Sequence, residues 1–263
     1  MAVRKAIFIT GGGSGIGRAI AQRFAREGWR VGLADVDQAG MAGTASLLPD
    51  GADIYAMDVR DRDAWDASLA DFTAKAGRLD VLANNAGIAT GGPLATATFE
   101  EIDRTVAINF IGVLNGARIG FAYLAKTRGS CLLNTASASA IYGSAGLATY
   151  SATKFAVRAL TEALDGEWYA DGIKVRGLIP AFIDTPLLAG PTQGSNHTIR
   201  EAVTGAGMEL SSAEQVADAA WRLVHGNDLF AYIGKTARRM KFAARWMPGN
   251  LRKRMRRGTV SPE

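Results

Sequence analysis

From near its start almost to its end, the chain repeats one pattern: a short, nearly continuous apolar run, a stretch with helical spacing, and another apolar run. KAIFIT leads into GIGRAIAQRFAREG, and RVGLAD follows. ADIYAMD precedes RDAWDASLADFTAKAG, and LDVLANNAG, GSCLLNTAS, IKVRGLIPA and LFAYIG continue the series. Strands that are apolar along their whole length are covered on both faces. Their alternation with helices constrains the fold to a single doubly wound, Rossmann-like α/β domain, a parallel sheet with helices on both faces. Residues 99–127 read as a long helix or a pair of helices, 149–170 as a helix, and 211–225 as a helix capped by Ser211 or Ser212. Residues 181–210, punctuated by Pro186, Gly190, Pro191, Gly194, Gly205 and Gly207, read as an irregular loop or lid.

Composition narrows the function classes. The 263 residues fit one large domain or two small ones, and 48% hydrophobic with 21% charged residues is an ordinary globular balance. One cysteine, Cys131, excludes an internal disulfide framework, and its apolar neighbours suit a small core residue. His197 and His225 lack ligand spacing, so no metal site is expected. The first apolar run is too short for a signal peptide, and no run of about 18 apolar residues suggests a membrane span. The expected location is the cytoplasm. The net charge of +5 hides an asymmetry, because residues 235–257 hold ten Lys and Arg and no acid. The remainder has 20 basic and 25 acidic residues. The expected organisation is therefore a 1–234 nucleotide-binding and catalytic domain followed by a basic amphipathic tail, 235–263.

Two local patterns carry chemistry. TGGGSGIG, Thr10 to Gly17, lies between the first strand and the first helix. Glycines there let the backbone approach a pyrophosphate, and the helix N-terminus supplies unpaired N–H groups and partial positive charge. The alternative is simply a tight strand–helix turn. The second strand ends at Asp35, 18 residues after Gly17. A carboxylate there accepts hydrogen bonds from ribose hydroxyls and repels a 2′-phosphate. The loop holds Ser14 rather than Arg or Lys, which favours NAD over NADP; Asp37 adds charge or is merely solvated. In ATYSATKFAV, Tyr150 and Lys154 sit one helical turn apart, on one face. A cation beside a phenol favours the phenolate, so the pair could form a tuned acid/base; by themselves the two residues also fit a surface tyrosine beside a surface lysine.

The combination is more specific. Gly11, Gly15 and Gly17 in G-x-x-x-G-x-G spacing, NNAG from Asn84 to Gly87, Ser137 thirteen residues before Tyr150, and Tyr150-x-x-x-Lys154 closely resemble the short-chain dehydrogenase/reductase family, from about residue 5 to 234. The resemblance implies a catalytic set of Asn109, Ser137, Tyr150 and Lys154. Tyr150 would exchange a proton with the substrate oxygen, Lys154 would lower its pKa and bind the nicotinamide ribose, and Ser137 would hydrogen-bond the substrate oxygen. Ser139 competes for that role but lies eleven residues before Tyr150. Asn109 would support a water relay behind the lysine. The cofactor would meet Gly11, Ser14, Gly15, Ile16 and Gly17 in the turn, Asp35, and Asp58 with Val59 near the adenine. Beyond these lie Asn84, Asn85, Ala86 and Gly87, then Tyr150 and Lys154, and finally Pro180, Ile183 and Thr185. One departure is Ala181, where the family usually has glycine, which puts the local loop shape in doubt.

The expectation is an NAD-dependent oxidoreductase acting on a secondary alcohol or ketone. Hydride transfer needs no protein nucleophile, only a matched proton acceptor and donors that polarise the oxygen. Ile88, Pro93, Leu94, Ile141, Tyr142, Phe182, Leu187, Leu188 and Ile199 would give a mostly apolar pocket, suited to a lipophilic small-molecule substrate. The rivals are an NADPH-dependent ketone or 3-oxoacyl reductase and, in another class, a non-catalytic nucleotide-binding scaffold or redox sensor. A homo-oligomer, dimer or tetramer, is expected. In the tail, Met240, Ala244, Met247, Leu251 and Met255 follow approximate helical spacing broken by Pro248 and Gly249. Such a basic amphipathic segment suits packing on its own protein or a subunit, peripheral contact with an anionic membrane, or solvation. Nucleic acid is not expected, given the acidic body and the absence of a reading motif.

Overall fold

A computed structural model describes residues 4–189, 198–205 and 207–257. The elements run β1 (Ala6–Thr10), α1 (Gly15–Arg26), β2 (Arg30–Asp35), α2 (Gln38–Ala45), β3 (Asp53–Ala56), α3 (Arg62–Ala76), β4 (Val81–Asn84), α4 (Phe99–Val106) and α5 (Gly112–Leu124). They continue with β5 (Cys131–Thr135), α6 (Ala148–Glu167), β6 (Lys174–Pro180), β7 (Phe182–Ile183), α7 (Ile199–Gly205), β8 (Leu210–Ser211), α8 (Ala213–His225), β9 (Phe230–Ile233), α9 (Gly234–Trp246) and α10 (Pro248–Arg257).

Seven strands form one parallel sheet in the order β3-β2-β1-β4-β5-β6-β9. Side chains alternate between its two faces. Ile7, Ile9, Leu33 and Leu133 pack with Phe24, Met41 and Val216 from α1, α2 and α8. Phe8, Leu82, Leu132 and Val175 pack with Trp65, Phe72 and Leu164 from α3 and α6. Both faces are thus covered, as the continuous apolar runs require. The strand order reverses between β1 and β4, and in such sheets a crevice opens there, beyond the strands' C-terminal ends.

Several details differ from the sequence reading. Helix α2 carries little sequence signal because QAGMAGTA holds two glycines; the exposed Asp37 caps it, accepting from the Gly40 N–H at 2.9 Å. Phe99–Leu124 is one helix, long and apolar enough to cross a membrane, but α5 packs on α3 and β4. A π-helical turn, Ala107–Ile111, interrupts it. Ser212 caps α8 in a reciprocal box with Gln215. The region read as irregular contains α7 and a short parallel ribbon, β7 with β8; Gly190, Pro191, Gly194 and His197 lie outside the described residues.

The basic segment continues from β9 with no connecting loop. Ala237 is fully buried, and Met240 and Ala244 pack beside it on Ala136, Ala138, Val157 and Ile179. The Lys241 ammonium lies 4.3 Å from the Tyr232 ring centre. Leu251 of α10 is buried, and Met255 faces Tyr142 and Phe155 across a groove.

Candidate active site

A cleft of about 490 Å³ opens at the strand-order reversal. Its floor is the turn after β1. Gly11 and Gly15 have φ of 68° and 52°, a left-handed backbone that favours glycine. Gly17 does not line the cleft; a Cβ on it would lie 2.0 Å from the Gly11 carbonyl oxygen, so its role is to let α1 close onto the turn. Ser14 occupies the N-cap of α1 in extended conformation, but its side chain makes no capping hydrogen bond. By contrast, Asp61, Thr98 and Ser212 accept from the first turns of α3, α4 and α8. The leading N–H groups of α1 therefore face the cleft without a side-chain cap or a first-turn acid, an arrangement that favours an anion. A dinucleotide pyrophosphate fits this cradle.

The far end of the cleft is set by Asp35. Its two carboxylate oxygens accept from the Gly13 N–H at 2.9 Å and the Asp37 N–H at 3.1 Å, which fixes the side chain beside the turn. Asp58 and Val59 line the same end, with Ala34, Val36 and Met57. Arg60 lies over Asp58, donating at 3.0 Å through Nε, and holds its carboxyl below the usual range. Neither Arg60 nor Arg18 was singled out from sequence. Arg18, one turn into α1, reaches back to the Gly13 and Gly40 carbonyls. The loop has no cation of its own, but one lies against it.

Asn85, Ala86 and Gly87 line the middle of the cleft, whereas Asn84 does not. The Asn84 side chain is buried between sheet and helix, donating to Val113 O and Asn134 Oδ1 at 3.2 and 3.1 Å. Asn85 instead donates to Thr10 O at 3.1 Å and so ties β4 to the glycine turn. Asn109, carried on the π turn, sits behind Gly87: its amide accepts from the Ile88 N–H and donates to the Ile88 carbonyl, both at 2.8 Å. Pro180, Ile183 and Thr185 close the side facing the turn, where a Cβ on Gly15 would lie 3.2 Å from the Thr185 methyl.

Ser137, Tyr150 and Lys154 converge at the inner end of the cleft. The Ser137 hydroxyl hydrogen-bonds Tyr150 and also accepts from the Ser139 N–H at 3.2 Å. Lys154 is 4% exposed and donates to the Thr135 carbonyl at 3.0 Å, with its nitrogen 5.7 Å from the Tyr150 ring centre. Burial pushes Lys154 down to about 8. Burial also pushes the Tyr150 phenol above its ordinary value, and the Ser137 hydrogen bond offsets only part of this. The Lys154 ammonium is directed at the Thr135 carbonyl, and burial is the larger influence on Tyr150.

Of the apolar residues expected at a substrate pocket, Ile88, Phe182, Leu187 and Leu188 line the cleft. Ile141 is buried in the core, Tyr142 faces α10, and Leu94 is exposed and lies outside the cleft lining, as does Pro93. The side chain of Ile199 lies outside the described residues. Ala181 lines the cleft too, and its methyl would lie at an ordinary contact distance of 3.7 Å from a Cβ on Gly234. Arg104, Ile108 and Leu147 complete the wall and were not anticipated from sequence, since no motif marks them.

Residues 5–195 match the family model for short chain dehydrogenases. The chain belongs to that family. This short-chain dehydrogenase is 34% identical over 200 residues to meso-2,3-butanediol dehydrogenase of Serratia marcescens, a match covering 76% of this chain and 79% of that one. It is also 34% identical over 186 residues to the 3-oxoacyl-[acyl-carrier-protein] reductase FabG of Thermotoga maritima, covering 70% and 76% of the two chains. Among solved structures, a 3-ketoacyl-(acyl-carrier-protein) reductase of Brucella melitensis complexed with NADH aligns with a TM-score of 0.76 at 32% identity, covering 84% of this chain and 91% of that one. The protein is an oxidoreductase of that family with its seven-stranded Rossmann-like sheet.

Proposed function

We propose that this short-chain dehydrogenase transfers a hydride between NAD and a lipophilic secondary alcohol or the matching ketone, in the cytoplasm and as a homo-oligomer. The observation that carries the cofactor reading is Asp35, held by two backbone N–H groups where the adenosine ribose would lie. A fixed carboxylate accepts from the 2′- and 3′-hydroxyls and repels a 2′-phosphate. The uncapped N-terminus of α1 takes the pyrophosphate. When bound, the nicotinamide supplies the hydride acceptor or donor.

The chain's own residues handle the proton. The Ser137 hydroxyl donates to the substrate oxygen, and Tyr150 gives that oxygen a proton in the reduction direction or removes one in oxidation. The raised affinity of Tyr150 for its proton suits the acid role toward a ketone. Lys154, anchored on Thr135, holds the ribose and supplies positive charge behind the phenol. Asn109 braces Ile88 and the turn that contains Gly87. The lipophilic substrate class follows from Ile88, Phe182, Leu187 and Leu188. A redox-sensor role through Cys131 is disfavoured: the thiol is fully buried and pushed up to about 12.

The specific rival is an NADPH-dependent ketone or 3-oxoacyl reductase, and Arg18 against the Gly13 carbonyl is the feature that favours it. Measuring kcat/KM with NAD and NADP, across secondary alcohols and ketones of graded chain length, separates the two. NAD preference with activity rising on apolar chains is expected. Preference for NADP overturns the cofactor reading.

A further inference from the structure

Helix α9 has two faces with different chemistry. Its inner face, Ala237, Met240 and Ala244, packs on the body, so the helix is held in place without any partner. Its outer face lies on the opposite side of the cylinder, where Phe242 and Trp246, one turn apart, are 59% and 68% exposed. Arg238, Arg239 and Arg245 flank them, and Met247 at the helix end is 43% exposed. Helix α10 adds exposed Arg252, Lys253 and Arg254. None of these six cations is ion-paired to an acidic side chain among the described residues. The surrounding segment, 235–257, carries no acid at all.

We propose that the outer face of α9, extended by α10, docks on an anionic lipid bilayer, with Phe242 and Trp246 entering the interface and the arginines meeting the headgroups. Aromatic side chains flanked by cations on one face of an in-plane helix match the interfacial zone of a membrane. A second copy of the chain is the less suitable occupant, because a two-fold contact of this face would set its arginines against their equivalents. Nucleic acid would use the cations but leave Phe242, Trp246 and Met247 in water unless bases were unstacked onto them. Each basic residue near such a surface contributes about 1 kcal/mol, so the loss of two is on the order of tenfold or more in partitioning.

The test is co-sedimentation of the full-length protein with vesicles of phosphatidylcholine alone and of phosphatidylcholine mixed with phosphatidylglycerol. Binding only to the mixed vesicles is expected, with Trp fluorescence shifting to the blue and binding lost as salt rises. Arg238→Glu with Arg239→Glu, and separately Phe242→Ser with Trp246→Ser, should each lower partitioning on the order of tenfold or more. Both double variants should keep turnover on a soluble substrate, since neither pair lines the cleft. Equal affinity for both vesicle types, no binding to either, or unchanged binding in the aromatic variant overturns the proposal. So does a full-length protein whose self-association or retention of single-stranded DNA, rather than vesicle binding, is what the variants abolish.

Discussion

Gly17 is where the geometry gives the sharpest quantitative test. It lies in α1, where alanine would ordinarily be the better helix former, so a propensity argument predicts that Gly17→Ala stabilises the protein. The structure predicts the reverse. A Cβ at Gly17 would sit 2.0 Å from the Gly11 carbonyl oxygen, 2.8 Å from its carbon and 2.9 Å from the Asn85 amide nitrogen. Carbon–oxygen contacts settle at about 3.3 Å or more, so the turn must open by more than ~1 Å. Two of the three obstructing atoms are backbone, which cannot swing aside as a side-chain tip can. Overpacking of this kind costs about 1–3 kcal/mol of stability. Opening the turn also moves the leading N–H groups of α1 off the pyrophosphate, and one charge-assisted hydrogen bond is worth about 1.5–3 kcal/mol. NADH affinity should therefore fall roughly ten- to hundredfold. The control is Gly43→Ala, in the exposed face of α2, where the nearest atom is an Arg18 nitrogen at 3.9 Å. That substitution should stabilise by about 0.5–1 kcal/mol and leave cofactor binding unchanged. Urea unfolding and titration of NADH fluorescence read both quantities. If Gly17→Ala is as stable as wild type and binds NADH equally well, the close-approach reasoning is wrong.

Other substitutions probe the inner end of the cleft and the core. Tyr150→Phe should lower turnover by about 10²–10⁴-fold with NADH affinity preserved, and retention of a tenth of the wild-type rate would remove Tyr150 from the acid/base role. Lys154 bears a buried charge whose pKa falls from 10.5 to about 8, so the unfolded chain binds the extra proton between those values and stability rises with pH across that window. Lys154→Met should therefore be more stable than wild type by roughly 1–3 kcal/mol at pH 7, with the gap narrowing from pH 8 to 10.5 in urea titrations, while activity is lost. A constant gap across that range would show that burial does not perturb the lysine. Cys131, fully buried and pushed up to about 12, should react with a thiol reagent only as fast as the protein unfolds. Labelling of the native protein that is complete within its native lifetime contradicts this.

The sheet was legible because each of its central strands is apolar at consecutive positions, and the cleft because Gly11, Gly15, Asp35, Ser137, Tyr150 and Lys154 fall at fixed intervals along it. Features that depend on contacts between distant segments were not legible. Asn84 and Asn85 are neighbours with the same side chain, yet strand pleating sends the first into the core and the second toward the glycine turn. Arg60 reaches the cleft, and Arg18 the back of the glycine turn, only because the fold places them there, and no spacing rule marks them. The orientation of Lys154 toward Thr135 likewise requires knowing that β5 ends beside α6. The basic segment could be read as amphipathic, but which of its faces meets the body could be decided only once Ala237 was seen against Val157 and Ile179.

The π turn at Ala107–Ile111 bears on how this chain can vary. An α-helix advances about 100° per residue, and a π turn takes up one residue more than an α turn would. Wound more widely, its five residues turn through about as much as four residues of α-helix, so the extra residue is absorbed as a bulge and α4 and α5 stay nearly in phase. Removing one residue there would restore a plain α-helix without turning α5, whose Gly116 lies so close to its neighbours that a Cβ would sit 2.2 Å from the Asn84 oxygen and 2.7 Å from the Trp65 ring. The change would fall on the backbone around Asn109, and with it on the two hydrogen bonds that fasten Ile88. Length within these five residues is thus a local adjustment of Asn109, separable from the packing of the helices on either side.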